Sequence, residues 1–409
     1  MRIAYLSYTY FADTDFSIIN IMKKKSDLYY FIIVESNPNS LKTTAINIKK
    51  QHNVSGIFKT NIYPEIEKFS DIIDMEKTYI VNICSNEAMY KRLFIFMKLL
   101  FKLLRINIDI LHTTMPYPKE MFPLFFLRKK TILTVHDPVP HSDVDASKEI
   151  IYRKKRFHLI RNFMILNKNQ KNEFISMYKL KHKNIHVSRL GIYDYLHRYI
   201  ETTSMDNSDK KYILFFGRIT KYKGLDFLFP AMKLVNKTHN DIKLIVAGGY
   251  QSYYFDISEY ENCSYIEIRH KFIPDDELAA LIQNALFVVC PYIDATQSGV
   301  VMSSFAFNIP VLATNTGGLP DYVEHMKSGY IVEPKDINGL ADGIKYLLDN
   351  KELLDKQKKY IEERYRIGDY SWNKITDDLL VFYKDIINSK RYMSDKINVK
   401  TKNIQYVNR

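Results

Sequence analysis

The chain has 409 residues, 46% of them hydrophobic and 26% charged, with a net charge of +13. That length suffices for two globular domains with cores of their own and excludes wholesale disorder, a collagen-like fibre and a small disulfide scaffold. The three cysteines, Cys84, Cys263 and Cys290, are widely spaced with no CxxC, which argues against a zinc ribbon and for a reducing compartment.

The opening MRIAYLSYTY lacks the basic and apolar regions of a secretory signal and reads as a first buried strand. Strands are expected at Arg2–Ser7, Tyr29–Glu35, Tyr79–Cys84, Ile108–His112, Thr131–His136 and Phe163–Asn167, with helical patterns between them. This alternation predicts an α/β domain with a parallel sheet.

Charge is unevenly placed. Residues 1–200 carry 32 Lys and Arg against 18 Asp and Glu, whereas residues 201–409 carry 27 against 28. A polyanionic partner must therefore meet the first half. The segment Glu87–Ile106 has a helical period, with Lys91, Arg92, Lys98, Lys102 and Arg105 among Leu, Phe, Met and Ile. Met121–Lys130 sets Phe and Leu beside three cations. Two readings stand for these patches: a core helix with a solvated basic face, or a surface resting on an anionic membrane. No nucleic-acid motif accompanies them, so nucleic acid is not expected as a partner. No run reaches the ~18 uncharged apolar residues of a spanning helix. The nearest, Leu93–Ile106, is interrupted by Lys98, Lys102 and Arg105. The expectation is a cytoplasmic protein lying peripherally on the inner face of the cell membrane.

TVHDPVPH (Thr134–His141) places His136 at a strand end, where prolines hold the following loop extended. His112 and His141 read as structural. The polar stretch 201–210 reads as a linker. Beyond it, strands are expected at Tyr212–Gly217, Lys243–Gly249, Tyr265–Ile268, Leu286–Tyr292, Pro310–Asn315 and Gly329–Pro334, and their continuous apolar character predicts burial on both faces. Helices are expected at Gly224–Val235, Asp275–Gln283, Ile337–Asp349, Glu352–Arg366 and Ser371–Ile387, followed by a frayed basic tail. Two doubly wound domains of this kind form a crevice at the carboxyl ends of their strands, the default ligand site.

GRITKYKG (Gly217–Gly224) sets Arg218 and Lys223 in a loop between a strand and a helix, an arrangement suited to clamping a diphosphate. In Pro291–Val323, Ser298 and Gly299 open a helix whose first N–H groups suit an anion, and Thr316, Gly317 and Gly318 form a second glycine turn at the same sheet edge. Neither the GxGxxG fingerprint nor a Walker A sequence is present.

Together, Gly217–Gly224 and Pro291–Val323 resemble the nucleotide-sugar domain of family 4 glycosyltransferases, with Val246–Gly249 and Ile273–Leu278 fitting the same pattern. The resemblance is strong over Tyr212–Asp349 and weaker over the first half. It implies the GT-B fold: an α/β architecture of two doubly wound Rossmann-like domains facing a cleft, with a C-terminal helix crossing back. The expected divisions are 1–200, linker 201–210, 211–370, crossover helix 371–389 and tail 390–409. The resemblance also implies a retaining enzyme in which Arg218 and Lys223 bind the donor diphosphate and His136 contacts the donor sugar.

One departure stands out. The family's two glutamates would fall at Ala295 and Ser303, so both carboxylates are missing. In their place the chain offers Asp294, Thr296 and Gln297 before Ser298 and Gly299, a form that resembles a subgroup often encoded with capsule or O-antigen assembly. The expected donor site comprises Gly217, Thr296, Gln297, Ser298, Gly299, Val300, Gly317 and Gly318, with Ser303 toward the ribose and base. The loop after the first strand lacks glycines, and Tyr8, Tyr10 and Asp15 are the expected acceptor contacts. Asp109–His112 and Arg189–Ile192 fall where the family has an edge strand and the loop before the linker. Trp372, the only tryptophan, is assigned a packing role.

The resulting expectation is a metal-independent retaining hexosyltransferase with no cofactor. Its co-substrate is a UDP- or GDP-linked sugar and its acceptor a growing, lipid-linked glycan of cell-surface polysaccharide or lipopolysaccharide. Two other classes stay open: a nucleotide-sugar epimerase, against which the missing glutamates count, and a non-catalytic nucleotide-sugar-binding protein.

Overall fold

The computed structural model describes residues 1–37, 41, 45–114, 119–139, 146–200, 211–249, 259–260, 263–295 and 298–407, with side chains beyond Ser389 left aside. The expected linker, His141, Thr296 and Gln297 lie outside the described residues.

The first half forms an eight-stranded sheet. Its elements are β1 (Arg2–Tyr8), α1 (Ala12–Lys25), β2 (Asp27–Glu35), β3 (Gly56–Lys59), β4 (Thr78–Ile83), α2 (Met89–Ile106), β5 (Ile110–Thr113), β6 (Thr131–Val135), α3 (Ala146–Phe157), β7 (Asn162–Ile165), α4 (Lys171–Tyr178) and β8 (Asn184–Val187). The strand order is β3-β4-β2-β1-β5-β6-β7-β8. All neighbours are parallel except β3, which runs antiparallel to β4 at one edge. Two features differ from expectation. Both edge strands were missed, because each is only four residues long and partly exposed. β5, expected at an edge, is central between β1 and β6, and all four of its residues are buried.

The second half is a six-stranded parallel sheet, β11-β10-β9-β12-β13-β14. Its elements are β9 (Tyr212–Phe216), α5 (Leu225–Val235), β10 (Lys243–Ala247), β11 (Ile266–Arg269), α6 (Asp275–Gln283), β12 (Val288–Cys290), α7 (Gly299–Ala306), β13 (Val311–Thr314), β14 (Gly329–Val332), α8 (Ile337–Asp349), α9 (Lys351–Ile361) and α10 (Trp372–Val407). Strands β9, β12 and β13 are buried throughout, as their unbroken apolar sequences require in a sheet covered by helices on both faces. A π-helical turn, Glu362–Ile367, separates α9 from α10.

α10 crosses back to the first domain. Trp372 is buried at its start, and its indole N–H donates to the Ile192 carbonyl at 2.6 Å. Farther along, the Tyr383 hydroxyl meets Nδ1 of His112 on β5, whose Nε2 lies 2.5 Å from Thr134 Oγ1. Lys25 at the end of α1 pairs with Asp377 at 2.7 Å. His112 is thus structural, and burial pushes its pKa down to about 3, so this clasp is neutral across the physiological range. The helix continues to Val407, through the stretch expected as a frayed tail. Among the described residues, no helix is long and apolar enough to cross a membrane.

Trp372→Ala is expected to lower unfolding stability by about 3 kcal/mol or more through the cavity it leaves. Trp372→Phe should cost about 1 kcal/mol, the value of the lost indole hydrogen bond. Urea denaturation followed by circular dichroism measures both, and no loss in either variant would show that α10 is not anchored through this ring.

Candidate functional site

The chain reverses direction at the end of β9. Gly217 sits at φ +103, a left-handed conformation open chiefly to glycine, and its N–H donates to the Ala247 carbonyl at 2.9 Å. A turn of 3-10 helix, Lys221–Lys223, then leads into α5. This path brings the Lys223 side chain back under Gly217. A Cβ at 217 would stand 2.9 Å from the Lys223 ammonium, which also lies 5.2 Å from the centre of the Tyr292 ring. Lys223 is buried, and desolvation, reinforced by Arg218 and opposed by Cys290, pushes its pKa down to about 8. Among the described residues, no carboxylate is among the charges acting on it.

Across from this pair, Ser298 caps α7 by accepting from the Val301 N–H at 3.4 Å. The first turn of α7 contains no acidic residue, and its Ser298, Gly299 and Val300 line the same cleft as Lys223 and Arg218, to which the N-terminal dipole adds positive charge. Gly299 allows close approach by Tyr193: a Cβ there would lie 3.0 Å from the tyrosine hydroxyl.

These groups line one cleft of about 410 Å³ between the domains. Gly217, Arg218, Lys223, Ser298, Gly299, Val300 and Ser303 all reach it, so these expected residues do converge. Ala295 and Ser303, where the resemblance places two glutamates, also line it, without charge. Lys271, Phe272 and Ile273 form a further wall after β11. The first domain contributes Asp13 from the start of α1 and Asp137 from the loop after β6.

Other expected site residues fall elsewhere. Gly317 and Gly318 do not line the cleft. Gly318 donates to the Ala295 carbonyl at 3.1 Å, and at Gly317, with φ +52, a Cβ would sit 1.4 Å from that oxygen. Their turn buttresses the segment before α7. Asp15 is fully buried and accepts from Tyr5 at 3.0 Å and Tyr30 at 3.4 Å; burial pushes its pKa up to about 7, against hydrogen bonds from Ser7 and Tyr5 that lower it. Tyr8 is buried in the core, and Tyr10 stacks on it at 5.1 Å. None of the three reaches the cleft. For Asp15 the reason is helical phase. Ala12, Phe16, Ile19 and Met22 form the inner stripe of α1 and carry Asp15 inward with them, whereas Asp13 faces the cleft.

His136 stands beside the cleft rather than in its lining. Its ring stacks on Phe11 at 4.2 Å, and it borders a small separate cavity with Thr14 and Trp372. Burial, partly offset by Asp137, pushes its pKa down to about 4, so the ring is neutral near pH 7.

Sequence reasoning missed Asp13, Asp137, Tyr193, Tyr195, Tyr222 and Lys271 as lining residues. The α1 periodicity could have identified Asp13. Tyr193 gave no local signal: its N–H donates to the Met302 carbonyl at 3.3 Å, and its hydroxyl accepts from Thr14 at 3.2 Å, both contacts distant in sequence. Among the described residues, no group of three or more His, Cys, Asp and Glu is placed to hold a metal ion.

Comparison with known proteins bears on this geometry. Residues 201–364 match the family described as Glycosyl transferases group 1. An uncharacterized glycosyltransferase of Methanocaldococcus jannaschii is 30% identical over 187 residues, covering 43% of this chain and 45% of that one. A second from the same organism is 23% identical over 395 residues, covering 93% and 96%. The capsular polysaccharide biosynthesis glycosyltransferase CapM of Staphylococcus aureus is 25% identical over 187 residues, covering 44% and 48%. The alignments span less than half the length of the first Methanocaldococcus jannaschii relative and of CapM. Anabaena HepE, solved in complex with UDP-glucose, superposes with TM-score 0.66 at 12% identity, covering 94% of this chain and 100% of that one. Sucrose-phosphate synthase from Thermosynechococcus elongatus gives TM-score 0.64 at 15% identity, covering 95% and 100%. The fold is GT-B.

The low pKa of Lys223 predicts a pH signature. Between about 8 and the ordinary 10.5 the unfolded chain binds the proton that the folded chain has lost, so this group adds stability as pH rises through that window. Anion binding, which needs the charged form, should move the other way. Affinity for a nucleoside diphosphate, measured by calorimetry, is expected to fall on the order of 10-fold between pH 7 and pH 9. Lys223→Met should remove that dependence, and an unchanged pH profile in this variant would disconnect Lys223 from the anion.

Proposed function

We propose that the protein is a retaining glycosyltransferase. It moves a hexose-type sugar from a UDP- or GDP-linked donor to a growing, lipid-linked glycan in cell-surface polysaccharide synthesis, acting in the cytoplasm at the inner face of the cell membrane. The observation that carries this reading is the buried Lys223 ammonium beside Arg218, facing the acid-free start of α7 across one cleft. Such a site concentrates positive potential where a leaving diphosphate gathers negative charge. The UDP-glucose complex of a protein with the same fold and the group 1 match over residues 201–364 support the donor class. The capsular relative supports the glycan class.

In this reading, Arg218, Lys223 and the N–H groups at Ser298–Val300 hold the diphosphate, and each key donor contributes ~3–4 kcal/mol to the transition state. The bond from the sugar's anomeric carbon to the diphosphate oxygen breaks as the acceptor oxygen bonds the same face of that carbon. The acceptor's proton passes to the departing diphosphate. Ser303 lies toward the ribose and base, and Thr296 and Gln297 are assigned to the sugar. Domain closure brings His136 to the sugar from the other side. The fixed cations carry out the charge compensation without a metal ion.

A second reading has an observation in its favour. Ala295 and Ser303 line the cleft without charge, so the nucleotide-sugar wall lacks both of the family's carboxylates. A non-catalytic nucleotide-sugar-binding protein would need only the diphosphate clamp.

A panel of nucleotide diphosphate sugars separates the two. The matching donor at 100-fold its Kd should stabilise the fold by ~2.7 kcal/mol in thermal unfolding. It should also release free nucleotide slowly, and faster with a lipid-linked acceptor. Arg218→Ala is expected to lose both effects, whereas a metal chelator should leave turnover unchanged. Stabilisation without cleavage, even with acceptor, would favour the binding protein. Absence of any donor binding would refute the diphosphate clamp.

A further inference from the structure

The helix α2 presents three faces. Ile95, Phe96, Leu99, Leu100 and Leu103 are buried against the sheet. Tyr90, Phe94, Phe101 and Leu104 are exposed instead, Tyr90 by 70% and Phe101 by 63%. Their spacing, with Met97 between, alternates four and three residues, so they form one line along the helix. Lys91, Lys98, Lys102 and Arg105 flank that line, and α2 has no acidic residue. Single exposed apolar residues are ordinary, but a continuous line of them is not.

Two neighbouring features extend this face. The turns of 3-10 helix at Lys119–Leu127 pack against α2 and expose Phe122 and Phe126, the latter by 75%. On the other flank, a groove of about 510 Å³ runs between α2 and the edge strand β3, lined by Ser55, Gly56, Lys98, Phe101, Lys102 and Arg105. Three cations and a hydroxyl thus converge on one groove beside an exposed aromatic ring.

We propose that this face docks on an anionic phospholipid surface. The Tyr90–Leu104 line, Phe122 and Phe126 enter the interface, and Lys98, Lys102 and Arg105 hold headgroup phosphates in the groove beside β3. Charge complementarity selects the occupant. A second copy on this face would set two cationic flanks side by side, and a nucleic acid would gain nothing from the aliphatic part of the line. α2 links β4 to β5, both parallel to β1 and β2, so it runs against them. Its first turn, with Tyr90, therefore lies at the sheet edge that borders the cleft, and a docked bilayer presents lipid-linked molecules at that edge. The inference deepens the membrane placement proposed above and rests on it, while its test needs no turnover.

The test is co-sedimentation with vesicles of equimolar phosphatidylcholine and phosphatidylglycerol, against pure phosphatidylcholine. Wild type is expected to pellet with the anionic vesicles and much less with the neutral ones. Lys98→Gln with Lys102→Gln and Arg105→Gln should weaken partitioning on the order of 100-fold. Phe94→Ser with Phe101→Ser, and separately Phe122→Ser with Phe126→Ser, should each weaken it at least ~10-fold. All three variants should keep the wild-type melting temperature and the wild-type response to a nucleoside diphosphate, which separates lost docking from lost folding. Failure of donor cleavage would sink the transferase reading and leave this result intact. Absence of pelleting, equal pelleting by all variants, or a dimer in light scattering that Phe101→Ser converts to monomer would overturn the proposal.

Discussion

An ammonium held out of water, with no carboxylate acting on it among the described residues, organises the cleft. Burying an uncompensated charge costs several kcal/mol, and proteins ordinarily relieve that cost with a paired acid. Here the relief is partial: the Tyr292 ring lies near the cation, and the lysine's pKa falls. The first turn of α7 adds N–H dipoles of the same sign. In the proposed reading, an arriving diphosphate would relieve this like charge, so that binding and charge neutralisation would be one event. Gly217 favours this arrangement, because its φ of +103 strains any other residue and a Cβ there would stand 2.9 Å from the ammonium.

The opposite wall has the other polarity. Asp13 and Asp137 come from the first domain, and the cations from the second. The end of the first domain also touches both: Tyr193 bonds Met302 on α7 through its backbone and Thr14 on α1 through its hydroxyl. A change in domain angle therefore reaches the start of α7 directly. α10 limits that change through Trp372 and the Tyr383–His112 contact. Since His112 stays neutral, this restraint does not switch with physiological pH.

Several misplacements have physical causes. Asp15 looked like a polar loop residue, but α1 begins three residues earlier and its apolar stripe turns the carboxyl inward. Gly317 and Gly318 looked like an anion nest, but their conformational freedom serves a close backbone approach to Ala295. β5 fell where the family resemblance puts an edge strand, yet it lies next to β1 in the middle of the sheet. In each case the residue type signalled a special environment and left its nature open. Exposure on α2 was similarly ambiguous, since a helical period alone does not say which of two apolar faces meets the sheet.

The sequence by itself determined the alternation of strands and helices, the second-domain strand positions, the placing of Arg218 and Lys223 in one strand–helix loop, the Ser298 turn that opens α7 and the concentration of positive charge in the first half. These are short-range matters: periodicity, turn chemistry and composition act over a few residues. Only the tertiary structure decided the strand order, the burial of Lys223 beneath Gly217, the choice of Asp13 over Asp15 for the cleft and the exposed aromatic line on α2. Each of those depends on which distant segments share space, and local preference carries no record of that until the chain has packed.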